Sequence, residues 1–114
     1  MGTVTVSGGK VKNECDNINS VQAAISNSGK AIVSGGEISA ILLAITNNSI
    51  LTIKSGTISC SAGNTIANRG TCNIEKDTNS YATITGNSKY PTIYNYEGTL
   101  SISAGKISAE DQQV

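Results

Sequence analysis

The sequence predicts an all-β fold, a right-handed parallel β-helix (β-solenoid) of about five coils with three short strands per coil. Three observations predict it: the composition, a repeated phrase spaced 20–28 residues apart, and an apolar pattern of period two inside each repeat. Ser, Thr and Asn make up 39 of the 114 residues, alongside 15 Ile and 12 Gly. Such a chain disfavours helices and favours short strands joined by tight turns.

The repeated phrase is visible when the chain is compared with itself. The segment Gly-Thr-Val-Thr-Val-Ser-Gly-Gly-Lys-Val at 2–11 has related copies at 29–38, 49–58 and 98–107, and a degraded copy from residue 70. The coils therefore begin near residues 2, 29, 49, 70 and 98. A unit this short does not bury its own apolar face, so such repeats stack to build one core. We predict a single solenoid domain over 1–114.

Each repeat carries three short apolar runs. In the third repeat, Leu51 and Ile53 form the first run, Ile58 the second and Ile66 the third. Alternate side chains of a strand share a face, so the period of two predicts strands with these residues in the core. Equivalent strands then pair in parallel at ~4.8 Å, and parallel crossovers are right-handed in nearly all known cases.

An Ile-x-Asn motif ends the third run of four repeats. Its spacing to the next repeat is nearly constant, which indicates that this corner of the coil is fixed. A stacked Asn amide both donates and accepts along its column, and Asn tolerates the left-handed backbone of tight turns. Asn87 lies outside this register, and we expect it in a loop. We predict an asparagine ladder of Asn27, Asn47, Asn68 and Asn95.

The variation in repeat length comes from insertions. The first coil is lengthened by a loop from Asn13 to Ser20, and the fourth by Glu75 to Ser80. Solenoids tolerate loops that leave the strands in register, and such loops often carry function. Neither end of the predicted stack has a recognisable cap. We therefore expect either a piece of a longer solenoid or a homo-oligomer that covers the ends.

The repeats resemble those of right-handed parallel β-helices of the pectin-lyase-like class, which occur in secreted bacterial surface, adhesin-like and carbohydrate-binding proteins. The phrase Thr-x-Thr-Val-Ser-Gly-Gly-x-Val resembles their recurring unit, and the four asparagines resemble the ladder of pectate-lyase-type helices. This resemblance covers nearly the whole chain. It implies a secreted or cell-surface location, although no charged-then-apolar signal peptide opens this chain. It also implies a polysaccharide or another protein chain as partner.

The composition argues against several classes of function. Eight positive and eight negative residues give a net charge of zero, without the basic surface that nucleic acid requires. The lack of His removes imidazole as a base, nucleophile or metal ligand. No apolar run approaches the ~20 residues of a membrane span. The three cysteines are an odd number without CxxC spacing, so we expect buried or loop thiols, with Cys72 in the core in place of Leu51.

Two sets of residues are candidates for binding. Flat rings with a phenol group suit exposed binding surfaces, and the alternative is that they cover a loop or cap an end. Paired acids in the two insertions are weak candidates for Ca²⁺, and the alternative is that they are solvated loop acids. The carbohydrate candidates are Tyr81, Tyr90, Tyr94 and Tyr96, and the metal candidates are Glu14, Asp16, Glu75 and Asp77.

A pectate-lyase-like enzyme needs carboxylates clustered on one face, and the register places no three acids on adjacent coils. We therefore expect no catalytic residues and no required cofactor. The sequence favours a structural or binding module of a bacterial surface or secreted protein, with a fragment of a polysaccharide-active enzyme as the alternative. A small, flat outer face on the third strands also suggests self-association. It consists of Ala24, Ala44, Thr65 and Thr92 with Ser26, Thr46, Ala67 and Tyr94.

Overall fold

The structure is a computed structural model that describes residues 2–110 of the predicted domain. Within this range the chain forms twelve strands and no helix, as the composition predicts. The strands are Thr3–Val6 (β1), Lys10–Asn13 (β2), Ile25–Asn27 (β3), Lys30–Ala40 (β4), Leu43–Asn47 (β5), Ile50–Cys60 (β6), Asn64–Asn68 (β7), Thr71–Ile74 (β8), Ala82–Asn87 (β9), Ile93–Asn95 (β10), Thr99–Ile102 (β11) and Lys106–Glu110 (β12).

All strand pairs are parallel, and the strands stack as a β-solenoid of about five coils with three walls. The first wall contains β1, β8 and β11 with the first halves of β4 and β6. The second contains β2, β9 and β12 with the second halves of β4 and β6. The third is a separate sheet of β3, β5, β7 and β10. In coils two and three the first two predicted strands are thus one bent strand of 11 residues.

Glycine makes the bend between the first and second walls possible. Gly36 and Gly56 have positive φ angles of 81° and 101°, a conformation that other residues seldom adopt. A Cβ atom on Gly36 would lie 2.9 Å from the carbonyl oxygen of Gly8 in the coil below. The bend and the close stacking of backbones therefore both require glycine here.

The core is a set of inward columns that continue from coil to coil. Leu51 pairs with Cys72 and Ile53 with Ile74, as the period-two pattern predicts, and all four are buried. Burial raises the pKa of the Cys72 thiol to about 12, because the thiolate is poorly solvated there. At the two ends of the stack, Val4 and Ile102 are half-exposed. Association through these ends stays a prediction.

Two corners flank the third wall. The ladder corner follows the third wall and contains two residues in the first three coils and three in the fourth. The variable corner lies between the second and third walls and contains eleven, two, three and five residues. The first variable corner includes residues 14–20 of the predicted insertion of coil one, whose first residue, Asn13, instead ends β2. The insertion of coil four instead separates β8 from β9, between the first and second walls.

Two sequence predictions were wrong, one about the third wall and one about the second. Ala44 and Thr65 were expected on its outer face, but both are fully buried. The chain bends where the variable corner enters this wall, so Ala44 and Ile45 both point inward, and the Thr65 hydroxyl donates to the Thr85 carbonyl at 2.9 Å. Asn87 was expected in a loop, but it is the last residue of β9 and is buried.

Candidate functional site

The asparagine ladder holds the ladder corner. Nδ2 of Asn27 donates to Oδ1 of Asn47 at 2.7 Å, Asn47 to Asn68 at 2.8 Å, and Asn68 to Asn95 at 2.8 Å. Asn47 Nδ2 also lies 3.2 Å from the carbonyl of Ser49 and 3.0 Å from that of Thr71 in the next coil. The predicted ladder is therefore confirmed, and each amide ties its own turn to the neighbouring coil.

The residue after each ladder asparagine points outward. Its backbone N–H donates to the backbone carbonyl of the ladder residue in the preceding coil. Arg69 donates in this way to Asn47 and Tyr96 to Asn68, both at 2.8 Å. A second outward column lies on the third wall, where Cα pairing places Ala67 between Thr46 and Tyr94. We name these two columns the corner strip: Ser28, Asn48, Arg69 and Tyr96 in one, and Ser26, Thr46, Ala67 and Tyr94 in the other.

Two of the four candidate tyrosines come together in the corner strip. The rings of Tyr94 and Tyr96 are stacked, with centroids 6.0 Å apart and an interplanar angle of 19°. The Arg69 guanidinium carbon lies 5.1 Å from the centre of the Tyr96 ring, a cation–π arrangement. Both rings are more than 40% exposed, at 46% and 43%. This cluster combines a flat aromatic platform with a charged hydrogen-bond donor in solvent.

Coil four has an extra residue at its ladder corner, and the backbone accommodates it at Glu97. Glu97 has a positive φ of 59°, which the shorter corners do not require. Asn95 Nδ2 accordingly donates to the carbonyl three residues on, at Gly98, rather than two residues on. The extra residue follows Tyr96, so Tyr96 keeps the position directly after the ladder asparagine that Arg69 has in the preceding coil.

The other two tyrosines lie apart from this cluster. Tyr81 precedes β9 and Tyr90 follows it, so they lie at opposite ends of that strand. Both rings are exposed. Tyr90 lines an apolar groove at the variable corner, and Tyr81 follows the insertion of coil four. The structure thus joins Tyr94 and Tyr96 and separates Tyr81 and Tyr90 from each other.

The apolar groove crosses several coils on the outside of the variable corner. Its volume is about 280 Å³, and its walls come from coils one to four. Ile18 and Val21 of the first loop form one side, Leu42 and Leu43 the middle, and Tyr90 the far side. Ala62, Gly63, Asn64 and Ala67 complete the lining.

The candidate metal ligands occupy two separate loops. Glu14 Oε2 pairs with Lys12 Nζ at 3.2 Å, and Asp16 is exposed beside it. Asp77 Oδ1 accepts a hydrogen bond from the Thr78 N–H at 2.9 Å, and Glu75 lies in the same loop, directly after β8. Among residues 2–110 no three Cys, Asp or Glu side chains form a group that could hold a metal ion. Weak calcium binding stays a prediction.

Sequence reasoning missed Arg69 and the groove. Arg69 follows a ladder asparagine just as Tyr96 does, so the register already places the two in one column. No comparable signal exists for the groove, because Ile18 and Val21 lie in the longest variable corner, which has no counterpart in the other repeats.

The fold defines the class of protein: a parallel β-solenoid repeat protein with an internal asparagine ladder. Comparisons with protein-family models, with curated proteins and with solved structures find no match for this chain. No helix of the described range is long and apolar enough to cross a membrane.

Proposed function

We propose that this chain is a carbohydrate-binding module without catalytic activity, from a bacterial surface or secreted protein. The observation that carries the proposal is the exposed cluster of Tyr94, Tyr96 and Arg69 on the corner strip. The likeness of the repeats to β-helices of secreted surface proteins supports the location.

The cluster suits a sugar because of the chemistry of its side chains. A pyranose ring has an apolar C–H face that packs on an aromatic ring, and its hydroxyls need polar partners around the rim. Tyr94 and Tyr96 offer the rings. Arg69 and the exposed Asn48 and Ser28 offer donors and acceptors along the same column.

The corner strip also has a shape that suits a linear glycan. Its columns run along the solenoid axis, with one residue per coil and a coil spacing of ~4.8 Å. A pyranose unit is about as long as that spacing, so successive sugars would meet successive coils. We therefore expect an oligosaccharide to lie along the axis, with one sugar on the tyrosine pair.

The test is a titration of the chain with soluble xylan, mannan, pectin and chitin oligosaccharides, followed by calorimetry. We expect one of these classes to bind, and Tyr94→Ala or Tyr96→Ala to weaken binding at least tenfold, from loss of about 1.4 kcal/mol or more of stacking. Tyr81→Ala is the matched control, because Tyr81 is also an exposed tyrosine, at 55%, but lies outside the cluster. Equal loss in all three variants would refute the corner strip as the site.

The same samples test the alternative of an enzyme fragment. Release of unsaturated sugars from pectin, measured by ultraviolet absorbance, would replace the binding proposal with the enzymatic one. Repeating each titration with and without Ca²⁺ tests the loop acids. A calcium effect that disappears in Glu14→Gln/Asp16→Asn would assign the ion to the first loop, and one that disappears in Glu75→Gln/Asp77→Asn to the second.

A further inference from the structure

The apolar groove is not accounted for by carbohydrate binding on the corner strip alone. Ile18 is 76% exposed and Val21 46% exposed, on a loop that is well braced. The Ser20 N–H donates to the Asn17 carbonyl at 3.0 Å, which places Ile18 in a tight turn. Asn13 Nδ2 donates across the base of the loop to the Ala23 carbonyl at 3.1 Å. The loop therefore holds two aliphatic side chains in solvent through specific hydrogen bonds.

The far side of the groove is braced as firmly. Oδ1 of buried Asn87 accepts a hydrogen bond from the Tyr90 N–H at 3.2 Å, and its Nδ2 donates to the Gly63 carbonyl at 2.8 Å. Asn64 Nδ2 donates to the Pro91 carbonyl at 2.7 Å. Tyr90 is thereby tied to coil three, on which the groove is built. An exposed apolar surface with rigid walls is typical of a binding site.

The groove is continuous with the corner strip. Ala67 lines the groove, and the same residue pairs with Thr46 and Tyr94 in the outward column of the third wall. A ligand that lies on the tyrosine pair therefore reaches the groove without leaving the surface of the third wall. The two surfaces differ in chemistry, since the groove is lined mainly by aliphatic side chains and the strip by polar and aromatic ones.

We infer that the chain binds an amphiphilic glycan, with its sugar on the corner strip and an alkyl or acyl substituent in the apolar groove. This inference rests on the carbohydrate-binding function proposed above. The aliphatic lining favours a hydrocarbon chain over a polar substituent, because each buried methylene is removed from water. The groove volume of about 280 Å³ limits the hydrocarbon substituent to a short one.

The test compares methyl, butyl and hexyl β-D-glucopyranosides below the concentration at which they form micelles. Binding is followed through NMR shifts of backbone amides, which also locate the ligand. We expect the affinity to rise by about two- to fourfold for each added methylene, the upper value being that of full burial. The largest shifts of the hexyl compound should fall on the groove, at Val21, Leu42 and Gly63.

The variants Val21→Ser and Leu42→Ser should reduce the gain in affinity from the hexyl group at least fivefold. The affinity for the methyl glucoside should not change. Ile50→Ser is the matched control, because Ile50 is 45% exposed and does not line the groove. If the length of the alkyl group has no effect on affinity while the glycan titrations succeed, the inference fails and the carbohydrate-binding function stands. If hexyl glucoside binds the Tyr94→Ala variant as tightly as the unmodified protein, its sugar does not lie on the corner strip. The inference of an amphiphilic ligand that spans both surfaces is then refuted.

Discussion

The two corners beside the third wall are built differently, although both join the same wall to its neighbours. The ladder corner has two residues in three coils and three in the fourth, and the variable corner has between two and eleven. Ladder amides tie each turn to the next coil, so an added residue disturbs two coils at once. The short variable corners are held by backbone bonds, such as that from the Ala62 N–H to the Ile41 carbonyl at 2.7 Å. The difference teaches that the mode of bracing decides where a solenoid accepts insertions.

Where the variable corner lengthens markedly, a single asparagine braces it. Asn13 ends β2 before the corner of eleven residues, and Asn87 ends β9 before the corner of five. Asn13 Nδ2 donates to the Ala23 carbonyl near the end of its own corner. Asn87 Oδ1 accepts from the Tyr90 N–H in its own corner, and its Nδ2 donates to the Gly63 carbonyl of the preceding coil. The two short corners follow Ala40 and Cys60 instead. Asparagine thus serves the fold in both corners, as a column in one and as individual braces in the other.

A substitution in the core beneath both corners should have the largest effect on the free energy of unfolding. Ile53→Asp places an unpaired charge in a fully buried column, and we expect a loss of more than about 3 kcal/mol in the free energy of unfolding. Thr52→Asp is the control, because the neighbouring side chain faces the other side of the strand. Urea denaturation measures both. Equal tolerance of the two changes would overturn the register.

Single asparagine changes compare the two corners directly. Asn47→Ala and Asn87→Ala each remove a buried amide with several partners, so we expect each to lose about 1–3 kcal/mol in urea denaturation. Asn95→Ala should lose less, because the last ladder residue is exposed. Only Asn87→Ala should also shift the NMR signals of Tyr90. A stable Asn87→Ala protein would show that backbone bonds alone hold that corner.

Insertions test the tolerance of each corner. Adding Gly-Ser after Asp16 lengthens a loop that is already long, and we expect a loss below about 1 kcal/mol. Adding the same pair after Asn48 separates Asn47 from the carbonyl of Ser49, and we expect a loss of about 2 kcal/mol. Thermal melting ranks the two proteins. The reverse order would mean that the ladder does not set the corner length.

Cysteine labelling compares a variable corner with the core without any substitution. Cys15 lies in the first variable corner and is partly exposed, and Cys72 lies in the core just after a ladder corner. Cys72 is fully buried, so its thiol is inaccessible to the reagent, and the same burial raises its pKa to about 12, so the thiol stays protonated at pH 8. We expect a maleimide to modify Cys15 well before Cys72, as read by peptide mass. Rapid modification of Cys72 would indicate that the first wall opens readily.

The same thiol predicts a pH dependence. The contribution of Cys72 to stability is fully present below pH ~9, where the thiol is protonated in both states. Above that pH the unfolded thiol ionises, while the folded one stays protonated up to about 12. Stability relative to Cys72→Ala should therefore fall by up to about 1.4 kcal/mol per pH unit in that window.

The sequence by itself determined the coil number, the register and the ladder. These features repeat, and strand alternation converts a period of two directly into inside and outside, as for Ile53 and Ile74. Only the tertiary structure decided the variable corners. Ala44 turns inward, Asn87 braces a corner, and Ile18 lines one groove together with Leu42 and Tyr90 of other coils. A lengthened corner has no counterpart in the other repeats, so the repeat pattern does not predict its path, which is held by individual hydrogen bonds such as those of Asn13 and Asn87.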